Sequence, residues 1–154
     1  MRQGEWERMP EIVETILEVR WGECDPAGIV YHPAYFDWFS VARMHFFKHN
    51  DMPYMEQFHD NGVVLVVLDA RCEFLKTVRA EDMVRIEASL SQRSKSRLKV
   101  HYDVFDEQGT LCGRGYTAHA YVDVKTNRAV NLAKRAPQLW QRLEGVPLIA
   151  DAAV

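Results

Sequence analysis

Pro33-Ala34-Tyr35-Phe36-Asp37-Trp38-Phe39-Ser40-Val41-Ala42-Arg43-Met44-His45-Phe46-Phe47-Lys48 is the stretch on which the fold turns. At about 100° per residue, Tyr35, Trp38, Phe39, Ala42 and Phe46 fall in one stripe roughly 100° wide, with Phe36 and Phe47 on its flank. Asp37, Ser40, Arg43 and Lys48 form its polar edge. Pro33 stands where the helix would start, because a first helical turn leaves that N–H unpaired anyway. So many rings need cover from other elements, so the pattern predicts one long, enclosed, central helix.

On either side the period changes. Upstream, Ile12 to Val19 alternates imperfectly and is rich in β-branched residues, as in a first strand. Downstream, a short helix is predicted from Tyr54 to Asp60, ended by Asn61-Gly62. Val63 to Leu68 is a continuous apolar run suited to a strand buried on both faces, and Cys72 to Leu75 extends it past a bend. Val84, Ile86, Ala88 and Leu90 alternate with polar residues, as do Leu98, Val100, Tyr102 and Val104, which gives two strands with one face inward. Asp106 to Gly109 reads as a hairpin turn. The strand from about Thr110 carries Ala118, Ala120, Val122 and Val124 on one face, small enough to leave space for the helix. A last short helix is predicted over 137–144, with 150–154 frayed.

About five strands, mostly hairpin-connected and antiparallel, with one long helix make an α+β chain. The alternating βαβ order of a dinucleotide fold is excluded, and no GxGxxG or P-loop is present. The 154 residues suit a single domain over 1–154 with its core at about 12–125. With 47% hydrophobic and 27% charged residues the chain can bury a real core. A net charge of −3 gives no broad footprint for nucleic acid or an anionic membrane, so a polyanionic ligand would have to be met locally. No apolar run approaches a membrane span, and Met1 to Glu5 holds no apolar signal core, so a cytoplasmic protein is expected. Cys24, Cys72 and Cys112 are odd in number and widely spaced, which suits small buried hydrophobes better than a disulfide framework or metal knuckle.

Chemistry concentrates between the first strand and the helix. Asp25 puts a carboxylate at the strand end, while the amides near His32 lie at a helix N-terminus, where unpaired N–H groups and the dipole favour negative charge. Such amides would polarise an acyl carbonyl and hold a tetrahedral oxyanion, while the carboxylate attacked it or activated a water. Asp-Pro-x-Gly is also a common turn, and an Asp near a helix start caps more often than it catalyses, so spacing by itself favours the cap.

The run Gly22-Glu23-Cys24-Asp25-Pro26-Ala27-Gly28-Ile29-Val30-Tyr31-His32-Pro33-Ala34-Tyr35 resembles the signature of the hotdog-fold acyl-CoA thioesterases, specifically the 4-hydroxybenzoyl-CoA thioesterase family. Cys72 to Lys76 and Glu81 to Ile86 extend the similarity, which covers roughly residues 12 to 125. The resemblance implies a curved antiparallel sheet wrapped around one helix. It implies Asp25 as nucleophile or general base, and the backbone N–H of His32 as the group that polarises the carbonyl, with Gly28 permitting the close turn and Tyr35 bordering the substrate. It also implies that the basic hairpin contacts the nucleotide of CoA through Arg93, Lys95 and Ser96. If that hairpin is extended, Arg93, Lys95 and Arg97 project to one side, although a solvated turn explains them equally. No metal or redox cofactor is implied, since CoA is part of the substrate. The implied assembly is a homo-oligomer, a dimer or a dimer of dimers (homotetramer), with CoA sites between subunits.

Other candidates are weaker. Glu23 and Asp25 beside Cys24 disfavour a thiolate nucleophile. His45 and His49 have the spacing of a metal pair without an accompanying carboxylate motif. A hydratase on the same fold would need an Asp/His acid–base pair that this chain does not display, and an acyl-CoA sensor would append a DNA-binding segment, whereas no basic helix follows Val124. The Asp-Pro-Ala-Gly-Ile-Val form resembles the aromatic acyl-CoA branch of the family, which implies benzoyl-type acyl groups, whereas His32 resembles relatives with short aliphatic ones.

Overall fold

A computed structural model describes residues 12–149, so the expectations for the first five residues and for 150–154 lie outside the described residues. Strand β1 (Val13–Glu18) leads through a 3-10 turn at Trp21–Glu23 to helix α1 (Ala34–His49). A short helix α2 (Tyr54–Gln57) and a 3-10 turn (His59–Asn61) follow, closed by left-handed Gly62 (φ 74°). Then come β2 (Val63–Phe74), β3 (Met83–Arg93), β4 (Arg97–Phe105) and β5 (Leu111–Asp123), and finally the short helices α3 (Leu132–Arg135) and α4 (Pro137–Glu144). The strands form one antiparallel sheet in the order β1-β3-β4-β5-β2. Two pairings, β3–β4 and β4–β5, are the expected hairpins, whereas β1–β3 and β5–β2 join strands distant in sequence.

Helix α1 lies on one face of this sheet. Its buried residues are Ala34, Tyr35, Trp38, Phe39, Ala42, Phe46 and Phe47, the stripe read from the sequence. Phe39 stacks on Tyr102 of β4 at 4.3 Å, and His45 Nδ1 meets the Thr15 hydroxyl of β1 at 2.9 Å. His45 is thus a tie between helix and sheet, and among the described residues no three His, Cys, Asp or Glu side chains gather as a metal set. Each fully buried ring contributes about 1.5–3 kcal/mol, which makes this single helix–sheet interface the main apolar core. Enclosure is less complete than the ring count suggested, because Val41 and Met44 on the outer side are 38% and 40% exposed. The sheet covers most of the aromatic stripe, and Phe58, after the short helix α2, packs on Phe47 at 5.1 Å.

Two expectations about strand faces are corrected. The helix-facing residues of β5 are Gly113, Gly115, Thr117, His119 and Tyr121, as shown by their pairing with the inward residues of β4, Val100 with Thr117 and Tyr102 with Gly115. Ala118 and Ala120 point to the other side; Gly113 leaves room for the Tyr35 ring of the helix, whereas Gly115 leaves room for the β2 backbone at Arg71. Both alternating sets of β5 contain small or apolar residues, so parity was ambiguous in sequence. The second correction concerns β2, which among the described residues is an edge strand paired with β5 alone, with a bulge between Val67 and Asp69. Val67 and Leu68 are about half exposed rather than buried on both faces. Cys72 to Phe74 do continue the strand past that irregularity.

A polar network sits under the helix. Arg43 donates to the Tyr102 hydroxyl at 3.0 Å and to Thr117 Oγ1 at 3.3 Å, and His119 Nε2 lies 2.8 Å from the same Thr117 oxygen. Burial, and secondarily the Arg43 cation, push the His119 imidazole down from 6.5 to about 3. In the unfolded chain it would protonate near 6.5. Stability is therefore complete above that pH and is lost as pH falls from 6.5 toward 3, by at most about 1.4 kcal/mol per pH unit. Between pH 6.5 and 5, above the range of the paired carboxylates, the wild-type Tm should drop while that of His119→Gln stays flatter. Parallel slopes for the two proteins would contradict the assignment.

Candidate active site

The segment between β1 and α1 folds back on itself. Asp25 N–H donates to the Ile29 carbonyl at 2.9 Å, Tyr31 N–H to the Glu23 carbonyl at 2.8 Å, and Cys24 bridges Val30. Gly28 closes the turn at φ 80°, a left-handed conformation that a side chain would resist. A second set of bonds ties the loop to residues 78–79, with Val30 N–H donating to the Val78 carbonyl at 2.8 Å and Ile29 bridging Arg79. These two attachments fix the start of α1 against the end of β2 and the segment after it.

Between them lies a cavity of about 440 Å³, with Asp25, His32, Tyr35, Phe74 and Lys76 in its wall. Both capping and chemistry remain open to Asp25. Its Oδ1 accepts from Ala27 N–H at 2.8 Å, the turn-capping bond anticipated from Asp-Pro-x-Gly, and among the described residues no group donates to Oδ2. One bond therefore orients the carboxylate while the other oxygen is left available.

The helix start holds the complementary feature. Tyr31 N–H donates to Glu23, and the N–H groups of Ala34, Tyr35 and Phe36 donate to the carbonyls of Tyr31, His32 and Pro33 at 3.0–3.2 Å. Pro33 has no N–H. His32 N–H is thus the one donor across residues 31–36 that has no acceptor among the described residues. It stands at the positive end of a 16-residue helix. An unpaired backbone donor is costly unless water or a ligand completes it, which makes this amide a ready donor to an anionic oxygen. The His32 ring packs edge-on to Tyr31 at 4.7 Å and to Phe74 at 6.1 Å.

Tyr35 is buried in the cavity wall, edge-on to Phe74 at 5.0 Å and lying over Gly113. Burial, with secondary effects from the Cys112 and Cys72 thiols, raises its hydroxyl, so it stays a neutral phenol. Cys72 is itself pushed up to about 12 by burial and by Glu73, a thiol rather than a nucleophile. Phe74, Lys76, Thr77 and Val78 were not anticipated as wall residues, since only the sheet order brings the end of β2 to the helix start. The Lys76 ammonium is engaged by Asp106 in the β4–β5 turn.

The basic hairpin is not brought to this cavity. Arg97 pairs with Ala120 at one end of β5, whereas Phe74 pairs with Gly113 at the other. At about 3.3 Å per residue those rungs are roughly 23 Å apart. Nor is the hairpin an extended row: Ser94 N–H donates to the Arg97 carbonyl at 2.7 Å, and Ser94 Oγ accepts from the Ser96 and Arg97 N–H groups. Arg93 turns inward and donates to the Val146 carbonyl, while Lys95, Ser96 and Arg97 are exposed. Tight-turn hydrogen bonding thus overrides the one-sided projection expected of an extended strand. Next to the hairpin, where Leu132 N–H meets the Lys95 carbonyl, Asp123, Arg128, Asn131, Lys134 and Arg135 line a second cleft, in which Arg135 is paired with Asp123 at 2.7 Å while Arg128 and Lys134 add two further cations.

Comparison with known proteins bears on the family and the fold. A family model described as the thioesterase-like superfamily matches residues 19–140. A provisionally named esterase of Aquifex aeolicus is 31% identical over 116 residues, covering 75% of this chain and 88% of that protein. The 4-hydroxybenzoyl-CoA thioesterase of Pseudomonas sp. strain CBS-3 is 31% identical over 86 residues, 54% of this chain and 61% of its own length. The crystal structure of a DHNA-CoA thioesterase from Staphylococcus aureus superposes with a TM-score of 0.84 at 24% identity, over 88% of this chain and 90% of that one, which shows a common fold.

Proposed function

This chain belongs to the thioesterase-like superfamily, and we propose on that premise that it hydrolyses acyl-CoA thioesters to the free acid and CoA at the Asp25–His32 cavity. The observation that carries the reading is a His32 N–H without an acceptor among the described residues, in the same cavity wall as a carboxylate with one oxygen that no described residue engages. A thioester carbonyl directed at that N–H is polarised, and the tetrahedral oxyanion is held by the amide and the helix dipole. Asp25 then acts in one of two ways. It attacks the carbonyl carbon, expelling the CoA thiolate and leaving a mixed anhydride that water cleaves, or it takes a proton from a water that attacks directly. In either case the attacking water supplies two protons, one converting the CoA thiolate to the thiol and one passing to solvent, while the acid is released as carboxylate and Asp25 is regenerated. No metal or redox cofactor takes part.

Tyr31, His32, Tyr35 and Phe74 surround the carbonyl site with ring edges, and Ile29, Val30, Leu75 and Val78 complete an apolar wall. A flat aryl group fits such a wall better than a flexible aliphatic chain, which would lose more freedom on binding. Benzoyl-type CoA thioesters are therefore the proposed substrates, the class carried by the name of the Pseudomonas relative. Thiol release from a panel of aromatic, short-chain and long-chain acyl-CoAs tests this. Aryl thioesters should give the highest kcat/KM, and no release from any of them would overturn the hydrolase reading.

The nucleotide end of CoA needs cations, and the proposed source is a second copy of the chain. Beyond Leu65, whose N–H donates to the Tyr54 hydroxyl, edge strand β2 has no strand neighbour on its outer side among the described residues and exposes Val67, Leu68 and Phe74 there. Two β2 strands paired antiparallel about a two-fold axis would run in opposite directions, bringing the partner's hairpin end toward this chain's cavity. Lys95, Ser96 and the Arg128–Arg135 cleft would then face the phosphates, with Arg93 supporting the hairpin from inside. Light scattering should give at least twice the chain mass, and Lys95→Ala should raise KM for acyl-CoA but not for the matching pantetheine thioester. A fully active monomer would refute the shared site. All three cysteines are free thiols, which fits a reducing compartment such as the cytoplasm, and no described helix is long and apolar enough to cross a membrane.

A further inference from the structure

Glu23 ends the 3-10 turn at Trp21–Glu23 that leads into the Asp25 loop. Its side chain is only 9% exposed, and both oxygens are taken. Oε2 accepts from the indole N–H of Trp38 at 2.8 Å, and Oε1 from the Arg20 N–H at 2.9 Å. Burial alone would push this carboxyl up, yet the Arg20 N–H, the Trp38 indole and the Arg20 guanidinium outweigh it and hold the carboxyl below its ordinary value. The guanidinium itself is 78% exposed and adds little. Trp38 is buried on α1, one turn beyond Tyr35, with ring centroids 4.8 Å apart. The backbone of Glu23 reaches the other way, its carbonyl accepting from Tyr31 N–H at 2.8 Å, next to His32.

One residue therefore touches the loop that bears Asp25, the segment that bears His32, and the helix whose first turn both must face. We propose that Glu23 and Trp38 form a clamp that sets the separation of the Asp25 carboxylate and the His32 N–H, making both of them positioning residues for hydrolysis. The proposal rests on the hydrolase reading above. Its physical basis is that a buried carboxylate must keep its hydrogen bonds, so the loop base cannot slide along the helix without breaking the indole bond. A displacement of about 1 Å between reacting groups costs up to about a hundredfold in rate.

Trp38→Phe is the sharpest probe, because it keeps a ring against Tyr35 and removes only the N–H. It should lower kcat about tenfold with KM within about twofold of wild type. Amide hydrogen exchange should quicken over residues 20–31 and stay unchanged in the sheet. Glu23→Ala should cost more, about a hundredfold, and the double variant should be no worse than Glu23→Ala, since the two changes remove one shared bond. Glu23→Gln, which retains an acceptor for the indole, should recover to within about fivefold of wild type. The clamp is refuted if Trp38→Phe and Glu23→Ala keep kcat within twofold of wild type, or if Glu23→Gln is as poor as Glu23→Ala. A wild type inactive on every thioester would instead overturn the hydrolase reading, and the exchange pattern would still decide the clamp.

Discussion

Asp25→Asn should lower kcat for aryl-CoA hydrolysis by about a thousandfold while leaving the fold and the Tm near those of wild type. The amide is close in size to the carboxylate, and its Oδ1 can still accept from Ala27 N–H, so the turn that closes at Gly28 survives. What disappears is the anionic oxygen that no described group occupies, and with it either covalent attack or removal of a proton from water. General-base assistance alone is worth about 10²–10⁴-fold. Full activity in Asp25→Asn would leave Asp25 as a capping residue only, and the chemistry would have to be sought elsewhere in the cavity. His32 provides the contrast. Its proposed contribution is a backbone N–H, so His32→Ala should stay within about fivefold of wild type, whereas His32→Pro, which removes the donor, should lose about 10²–10³-fold. Steady-state assays of the three variants with one aryl-CoA separate side-chain from main-chain chemistry.

Gly115→Ala should be the most damaging single methyl in the sheet. A Cβ built on Gly115 would come within 1.9 Å of the Arg71 carbonyl oxygen and 3.0 Å of Cys72 Cα, both in the backbone of β2. No side-chain rotation relieves such a contact, so β2 must move away from β5 or the rung must break. Overpacking of this kind costs about 1–3 kcal/mol, and a backbone collision falls at the upper end or beyond. For a chain of this size, about 3 kcal/mol lowers Tm by roughly 6–12 °C. Gly22→Ala is the control, since no atom lies within 4 Å of its added Cβ, and its Tm should shift by no more than a degree or two. Equal Tm values for the two variants would mean that β2 is not held at this register. Because β2 also carries Phe74 into the cavity wall, the loss of stability in Gly115→Ala should be accompanied by a raised KM.

These two residues differ in how they could be found. Asp25 stands in a local pattern, a strand end, a turn and a helix start within eleven residues, and each part has its own composition signal. Gly115 is one glycine among eight, and nothing in its neighbourhood says that a carbonyl from residue 71 lies against it. Glu23 shows the same limit more sharply. In the sequence it is an acid beside Cys24, and its meaning comes from an indole fifteen residues away that the loop must fold back to reach.

By itself the sequence determined the α+β class, the long helix with its buried stripe, the strands, and the turn that presents Asp25. All of these follow from periods and turn chemistry that act over a few residues, so they can be read before any tertiary contact is known. The tertiary structure alone decided that β2 is an edge, that β5 turns its glycines rather than its alanines to the helix, and that Arg93 supports a hairpin far from the cavity. The resemblance pointed to the His32 N–H beforehand, and the structure adds that this amide has no acceptor among the described residues. Such facts depend on which strands pair and in which register, and pairing is settled by the summed burial and hydrogen bonding of distant segments. A period of two fixes that a strand has two faces, but only the packed sheet and helix choose between them.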